Sequence, residues 1–353
     1  QLFERIAKVY ETRETSGLTP EQQRLTWVHY TNFVRAGARL DAAGKKRTAE
    51  INQELARLFT AFGQNVLKDE NEGVIYLEKE SDLAGLPQGV RDGMAQGAEG
   101  RGQKGKWAIA NTRSSIEPFL TYSDDRALRE KAWRMFVNRG DNGGATDNNA
   151  TIAQILQLRA ERAKLLGFPT HAHWRLENTM AKTPERAMEL MEAVWTPAVA
   201  RVHEEVADMQ KIADADKAGI RIEPWDYRYY AEKVRKAKYD LDETEISTYM
   251  QLDDLREGMF YMAKELFGFN FKPVDASKVP VYHPDVRVWE VTNPKGELIG
   301  LWYFDPYARK GKRSGAWMNA YRTQEKFDGD IKTIVSNNSN FVKGKPGEPV
   351  LIS

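Results

Sequence analysis

The sequence predicts a mainly α protein with a small mixed β-sheet near its C-terminal end, and three observations predict it. Helix-start signals followed by apolar residues at a 3.6-residue period recur through the first two-thirds of the chain. β-branched and aromatic runs bounded by Pro, Gly and Asp gather after residue 268. The 353 residues are 41% hydrophobic and include nine Trp, ample for a chain that buries about three-quarters of its unfolded surface.

Each element follows from local chemistry. Thr19 is an N-cap, Pro20 suits the first helical position, and Leu25, Val28, Phe33 and Val34 continue near helical period. Over 50–62, Ile51, Leu55, Leu58, Phe59 and Phe62 form one apolar stripe. Further helices are predicted over about 124–138, 148–166, 183–212, 225–238 and 243–266. Strands are predicted over 73–77, 107–112, 286–291, 298–304 and 332–336, and Asn293, Pro294, Lys295 and Gly296 make a hairpin turn. The glycines of 93–105 and the segment 141–145 signal loops. The change of pattern divides the chain into a helical body, 1–267, and a β-containing segment, 268–353.

Composition removes several classes of function. With 52 Lys+Arg against 51 Asp+Glu, the net charge of +1 leaves no polyanion-binding field, so nucleic acid is not expected as a partner. No run of eighteen apolar residues is present, so no membrane helix is expected. The absence of Cys removes disulfides, thiolate nucleophiles and Cys-type zinc sites, and it suits cytoplasm and periplasm alike.

The chemistry-bearing motifs are incomplete. Gly100, Gly102 and Gly105 match G-x-G-x-x-G, but the strand follows where a dinucleotide fold would have it precede, so a turn is expected. His203 and Glu204 begin like H-E-x-x-H, yet Ala207 stands where the second histidine belongs, which leaves a solvated helix face. His171 and His173, two apart, diverge on a helix that Thr170 is placed to cap. The basic pentad 309–313 reads as a solvated loop. His29 and His283 are isolated. The residues alone therefore reach a helical body with a terminal β element and no complete catalytic constellation.

Several stretches resemble the thimet-oligopeptidase family of zinc metallopeptidases, in particular its bacterial peptidyl-dipeptidase branch. They are 18–24 with 33–37, 50–55, 158–167 with 180–184, Pro224, Trp225 and Asp226 with Tyr229 and Tyr230, 303–307 with 312–317, and Gly347, Glu348 and Pro349. They run in the family's order over essentially the whole chain.

The resemblance implies a two-lobed zincin-like helical body, short peptides as substrates, and one zinc whose bound water attacks the scissile carbonyl. It also implies an H-E-x-x-H helix after the Gly-Glu-Pro segment, beyond Ser353. The expectation is therefore a fragment of such an enzyme with no catalytic residue or metal ligand of its own, inactive alone, with the rest of the same enzyme as a possible partner. The family's cleft-bordering strand matches 334–341, where an extended substrate could pair with the backbone. Asn337, Asn338, Ser339 and Asn340 are the implied substrate-binding residues, and Asp305 and Arg309 are implied to be structural. An oligopeptidase-type endopeptidase and a metal-free helical peptide-binding scaffold remain alternatives. The compartment is expected to be cytoplasmic, with periplasmic as the alternative.

Overall fold

The computed structural model describes residues 1–275, 277–344 and 347–352; Ser353, on which the expected end of the fragment falls, lies outside them. The helices are α1 (Leu2–Glu11), α2 (Pro20–Arg35), α3 (Ala42–Glu72), α4 (Gln88–Glu99), α5 (Arg113–Tyr122), α6 (Arg126–Val137), α7 (Asn149–Leu165), α8 (His171–Leu176), α9 (Pro184–Ala215), α10 (Tyr227–Tyr239), α11 (Glu243–Thr248) and α12 (Leu252–Phe267). The strands are β1 (Val74–Leu77), β2 (Trp107–Ala110), β3 (Asn270–Val274), β4 (Arg287–Thr292), β5 (Leu298–Tyr307), β6 (Trp317–Arg322) and β7 (Thr333–Phe341). They form two units, Gln1–Val66 with Gly140–Val202, and Leu67–Arg139 with His203–Ser353.

In the first unit Thr19 and Gln22 make a reciprocal capping box, with Pro20 in the first turn, so α2 starts where the sequence places it. Ile51, Leu55 and Leu58 of α3 are buried with Ile155 of α7. Phe59 departs from the predicted stripe and is exposed. It lies about 100° from Leu58 and about 40° beyond Leu55, at the margin of the buried row.

The second unit starts from the antiparallel pair β1 and β2, whose Ile75, Leu77 and Ile109 are buried with Met94, Ile116, Phe119 and Leu120. The loop expected over 93–105 is corrected in its first half, because α4 continues to Glu99. Gly93 lies inside that helix, where a Cβ would stand 2.7 Å from Cγ1 of Val342. The glycine permits close packing there instead of breaking the helix. The turn itself is confined to the residues between α4 and β2, with Gly102 and Gly105 at positive φ. The continuous helix expected over 243–266 is interrupted: Leu252 N–H donates to the Val350 carbonyl and Ile352 N–H to that of Met250, a bridge that separates α11 from α12.

A five-stranded mixed sheet closes the chain in the order β3-β4-β5-β7-β6. Only the β5–β7 pair is parallel. The Asn293 turn joins β4 to β5, with Gly296 at φ 79°. Trp289, Trp302, Phe304, Tyr307 and Leu252 are buried together under Phe260 and Phe271. Strands β3 and β6 escaped the sequence reading, β3 because Pro273 interrupts it and β6 because all six of its residues are exposed and show no inside–outside alternation.

A buried ion pair ties α6 to the start of α10. The guanidinium of Arg129, 2% exposed, donates to Asp226 at 2.8 Å and to the Ser123 carbonyl at 2.8 Å, while Arg126 grips the same carboxylate from its other side. Removing one partner strands a buried charge, whereas an apolar pair of similar volume removes both. Asp226→Ala should therefore lower stability by about 3–5 kcal/mol, read from the urea unfolding midpoint, and the double change Arg129→Met with Asp226→Leu should recover most of that loss.

Candidate functional site

Asp305, near the end of β5, is 1% exposed and sits opposite Asn338 of β7. An isolated carboxylate could not be held there, and two cations neutralise it. Nη1 and Nη2 of Arg309 meet its two oxygens at 2.6 and 2.8 Å, and Nζ of Lys312 lies 3.0 Å from Oδ1. Lys312 also donates to the carbonyls of Asp305 and Tyr307, each at 2.9 Å. The solvated loop expected for 309–313 is thus corrected: Lys310 and Arg313 are exposed, but Lys312 is buried and Arg309 half-buried. The buried carboxylate supplies the reason, since it needs counter-charge from within the chain. Asp305 and Arg309 serve as a structural pair.

The network extends outward. The hydroxyl of Tyr282 lies 3.2 Å from Oδ2 of Asp305, 3.3 Å from Oδ1 of Asn338 and 3.5 Å from the Tyr321 hydroxyl. Burial, then Tyr321 and the Asp305 charge, push the Tyr282 phenol above its ordinary value, so it remains a neutral donor. Burial also pushes the Asp305 carboxyl up, but the hydrogen bonds from Arg309 and Lys312 outweigh it and hold the group below its ordinary value. For Lys312 burial outweighs the carboxylate, and the ammonium is held below its ordinary value. These groups anchor; none is paired as nucleophile and base.

The four expected substrate-binding residues fall in two pairs. Nδ2 of Asn338 donates to the Trp317 carbonyl and to Oγ of Ser336, and Nδ2 of Asn340 donates to the carbonyls of Arg313 and Gly315 at 2.8 and 2.6 Å. Both side chains hold the entry to β6. Asn337 is exposed, with its oxygen fixed by Nε1 of Trp302 at 2.9 Å, and Ser339 is half-buried. Ser339 and Asn340 lie in a bulge, because pairing jumps from Asn338–Asp305 to Phe341–Tyr307 across Pro306, which has no N–H to give the ladder.

Of the backbone expected to pair with substrate over 334–341, the part 334–338 is already paired within the sheet. β5 pairs with β7 on one side and β6 on the other, so both edges of 334–338 are occupied. The sheet has two edge strands, β3 and β6, and the one beside β7 is β6, whose Trp317, Met318 and Tyr321 are exposed. Its approach is pinned by Gly311 N–H on Asn71 and by Ser314 on Glu70, itself paired with Arg139.

The implied zinc does not fit these residues. Thr170 caps α8 and its Oγ1 lies 2.8 Å from Nδ1 of His173. His203 is exposed on α9, as the sequence reading has it, and His29 is exposed on α2. Nδ1 of His283 accepts from Asp285 N–H. Among the described residues no three His, Asp or Glu side chains converge on a metal position. None of the described helices is long and apolar enough to cross a membrane.

Comparisons with known proteins add to this geometry. A family model described as peptidase family M3 matches residues 119–353. Dipeptidyl carboxypeptidase of Escherichia coli K12 is 37% identical over 353 residues, which are 100% of this chain and 51% of that protein. Oligopeptidase A of Haemophilus influenzae is 32% identical over 86% of this chain and 45% of its own length. Organellar oligopeptidase A of Arabidopsis thaliana is 34% identical over 90% of this chain and 41% of its own. The chain spans about half the length of the dipeptidyl carboxypeptidases it matches.

Asp305 gives the sheet an expected dependence on acid. Its folded pKa is below the ordinary 3.8, so its stabilisation is complete above the unfolded value and is lost as pH falls through the folded one. The unfolding midpoint followed from pH 6 to pH 2 should therefore drop below about pH 4, and Asp305→Asn should start lower at pH 6 and flatten that drop.

Proposed function

The chain belongs to peptidase family M3, and we propose that the protein carrying it is a zinc metallopeptidase that releases dipeptides from the C-terminal ends of short peptides. The observation that carries the peptide side of this reading is the open edge of β6. A strand paired on one side only presents a row of free N–H and C=O groups, and an extended peptide completes it by adding a strand. Buried Asp305 and the side chains of Asn338 and Asn340 hold that edge in place. Asn337 and Ser339 retain surface to line the peptide's path, while Asn338 and Asn340 act as positioning residues.

Zinc is assigned to the whole protein and its ligands to sequence outside residues 1–353, since the side chains present do not fit the ion. On this reading these residues alone do not hydrolyse peptides. The dipeptide-releasing specificity rests on the likeness to the dipeptidyl carboxypeptidases. The oligopeptidase A relatives favour a second reading, cleavage at internal bonds.

Product analysis separates the two. Mass spectrometry of a nonapeptide digest by the full-length protein should show successive loss of C-terminal dipeptides, and amidation of the peptide's C-terminus should slow it. Internal fragments formed equally from the amidated peptide would establish the second reading. A further outcome concerns the backbone: N-methylation of alternate substrate amides should raise KM about fivefold at positions facing β6, the loss of one hydrogen bond of about 1 kcal/mol, and leave it unchanged at the intervening ones.

A further inference from the structure

The first unit holds a cluster of cations that the peptide-binding sheet does not use. Trp174 of α8 has three guanidiniums around its ring: Cζ of Arg162 lies 4.8 Å from the centroid, and those of Arg35 and Arg175 lie 5.6 Å away. The imidazole of His171 stands 5.4 Å from the same ring. Arg159, one turn before Arg162 on α7, lies over Phe59 at 5.1 Å.

Negative charge is scarce in this group. Arg35 is paired with Glu177, but Nη1 of Arg162 donates to the neutral Oδ1 of Asn52 at 2.8 Å. The Nε atoms of Arg159 and Arg162 and Nδ1 of His171 are buried without a hydrogen-bond partner. Burial first, then Arg159 and Arg175, hold the Arg162 guanidinium below its ordinary value. Burial and the same neighbours, with Arg162, hold the His171 imidazole below its ordinary value too. A chain whose charges balance to +1 overall has here gathered like charges and left buried donors unused, which is costly unless an acceptor arrives.

We propose that Arg159, Arg162 and Arg175 beside Trp174 form a binding site for an oxyanion, a carboxylate or phosphate group. Guanidinium forks match such groups bidentately, and the rings beside them, Trp174 for Arg162 and Arg175 and Phe59 for Arg159, hold them in place in advance. The oxyanion comes either from a small ligand or from an acidic side chain elsewhere in the longer protein, and the two sources give different results in one experiment.

Inorganic phosphate is titrated calorimetrically into the full-length protein at constant ionic strength, and melting temperatures are recorded. The variants are Arg162→Gln with Arg175→Gln, and Arg162→Lys with Arg175→Lys. Phosphate binding that weakens at least about tenfold in the Gln pair, and less in the Lys pair that keeps the charge, establishes a site open to a small oxyanion. No phosphate binding, with a melting temperature lowered in the Gln pair and restored in the Lys pair, establishes an internal carboxylate as occupant. The proposal is overturned by phosphate binding that the Gln pair leaves unchanged. It is equally overturned if phosphate does not bind and the melting temperature rises, stays the same or falls alike in both variants.

Discussion

The Asp305 carboxylate, buried at the end of β5 and neutralised by Arg309 and Lys312, is the constraint on which the β5–β7–β6 side of the sheet depends. A buried carboxylate must be charged and paired or else protonated. Here two cations only four and seven residues onward do the pairing, so the segment after β5 has to turn inward. That turn carries the carbonyls of Arg313, Gly315 and Trp317 within reach of Asn340 and Asn338. The same carboxylate and Asn338 share the Tyr282 hydroxyl, so both strands of the β5–β7 pair are tied to one charge.

Asp226 performs a comparable task between helices. Arg129 and Arg126 converge on it from α6, and Tyr229 covers Arg129 at 4.2 Å. In both places a carboxylate accepts from two basic side chains, which satisfies its lone pairs and removes the need for water. The arginines around Trp174 are the contrast: Glu177 pairs with Arg35 alone, and among the described residues no carboxylate pairs with Arg159, Arg162 or Arg175, which is why that cluster points to a ligand while the other two point to architecture.

Legibility in the sequence followed the range of the forces involved. Thr19, Pro20 and Thr170 are local signals, and the helices they start lie where they predict. Ile51, Leu55 and Leu58 were readable from period, whereas the exposure of Phe59 was not, because it keeps an i+4 spacing from Leu55 while standing at the margin of the buried row. The glycines of α4 signalled a loop since the packing of Val342 against Gly93 is invisible in one dimension. Arg309 and Lys312 looked like solvated charge because their partner lies across a turn, and β6 was missed because its residues face solvent on both sides. The Tyr303-to-Tyr307 and Lys312-to-Trp317 stretches carry the family resemblance and flank the turn that leads into β6, an edge strand, whereas the strand bearing Asn337 to Asn340 is an inner one.

Hydrogen–deuterium exchange of the full-length protein, with and without a saturating non-hydrolysable peptide, tests the central claim most directly. Peptide addition to the open edge predicts slowed exchange across Trp317–Arg322, with Thr333–Phe341, already paired on both sides, little changed. Protection that appears elsewhere while the β6 amides exchange at their unliganded rate would contradict it.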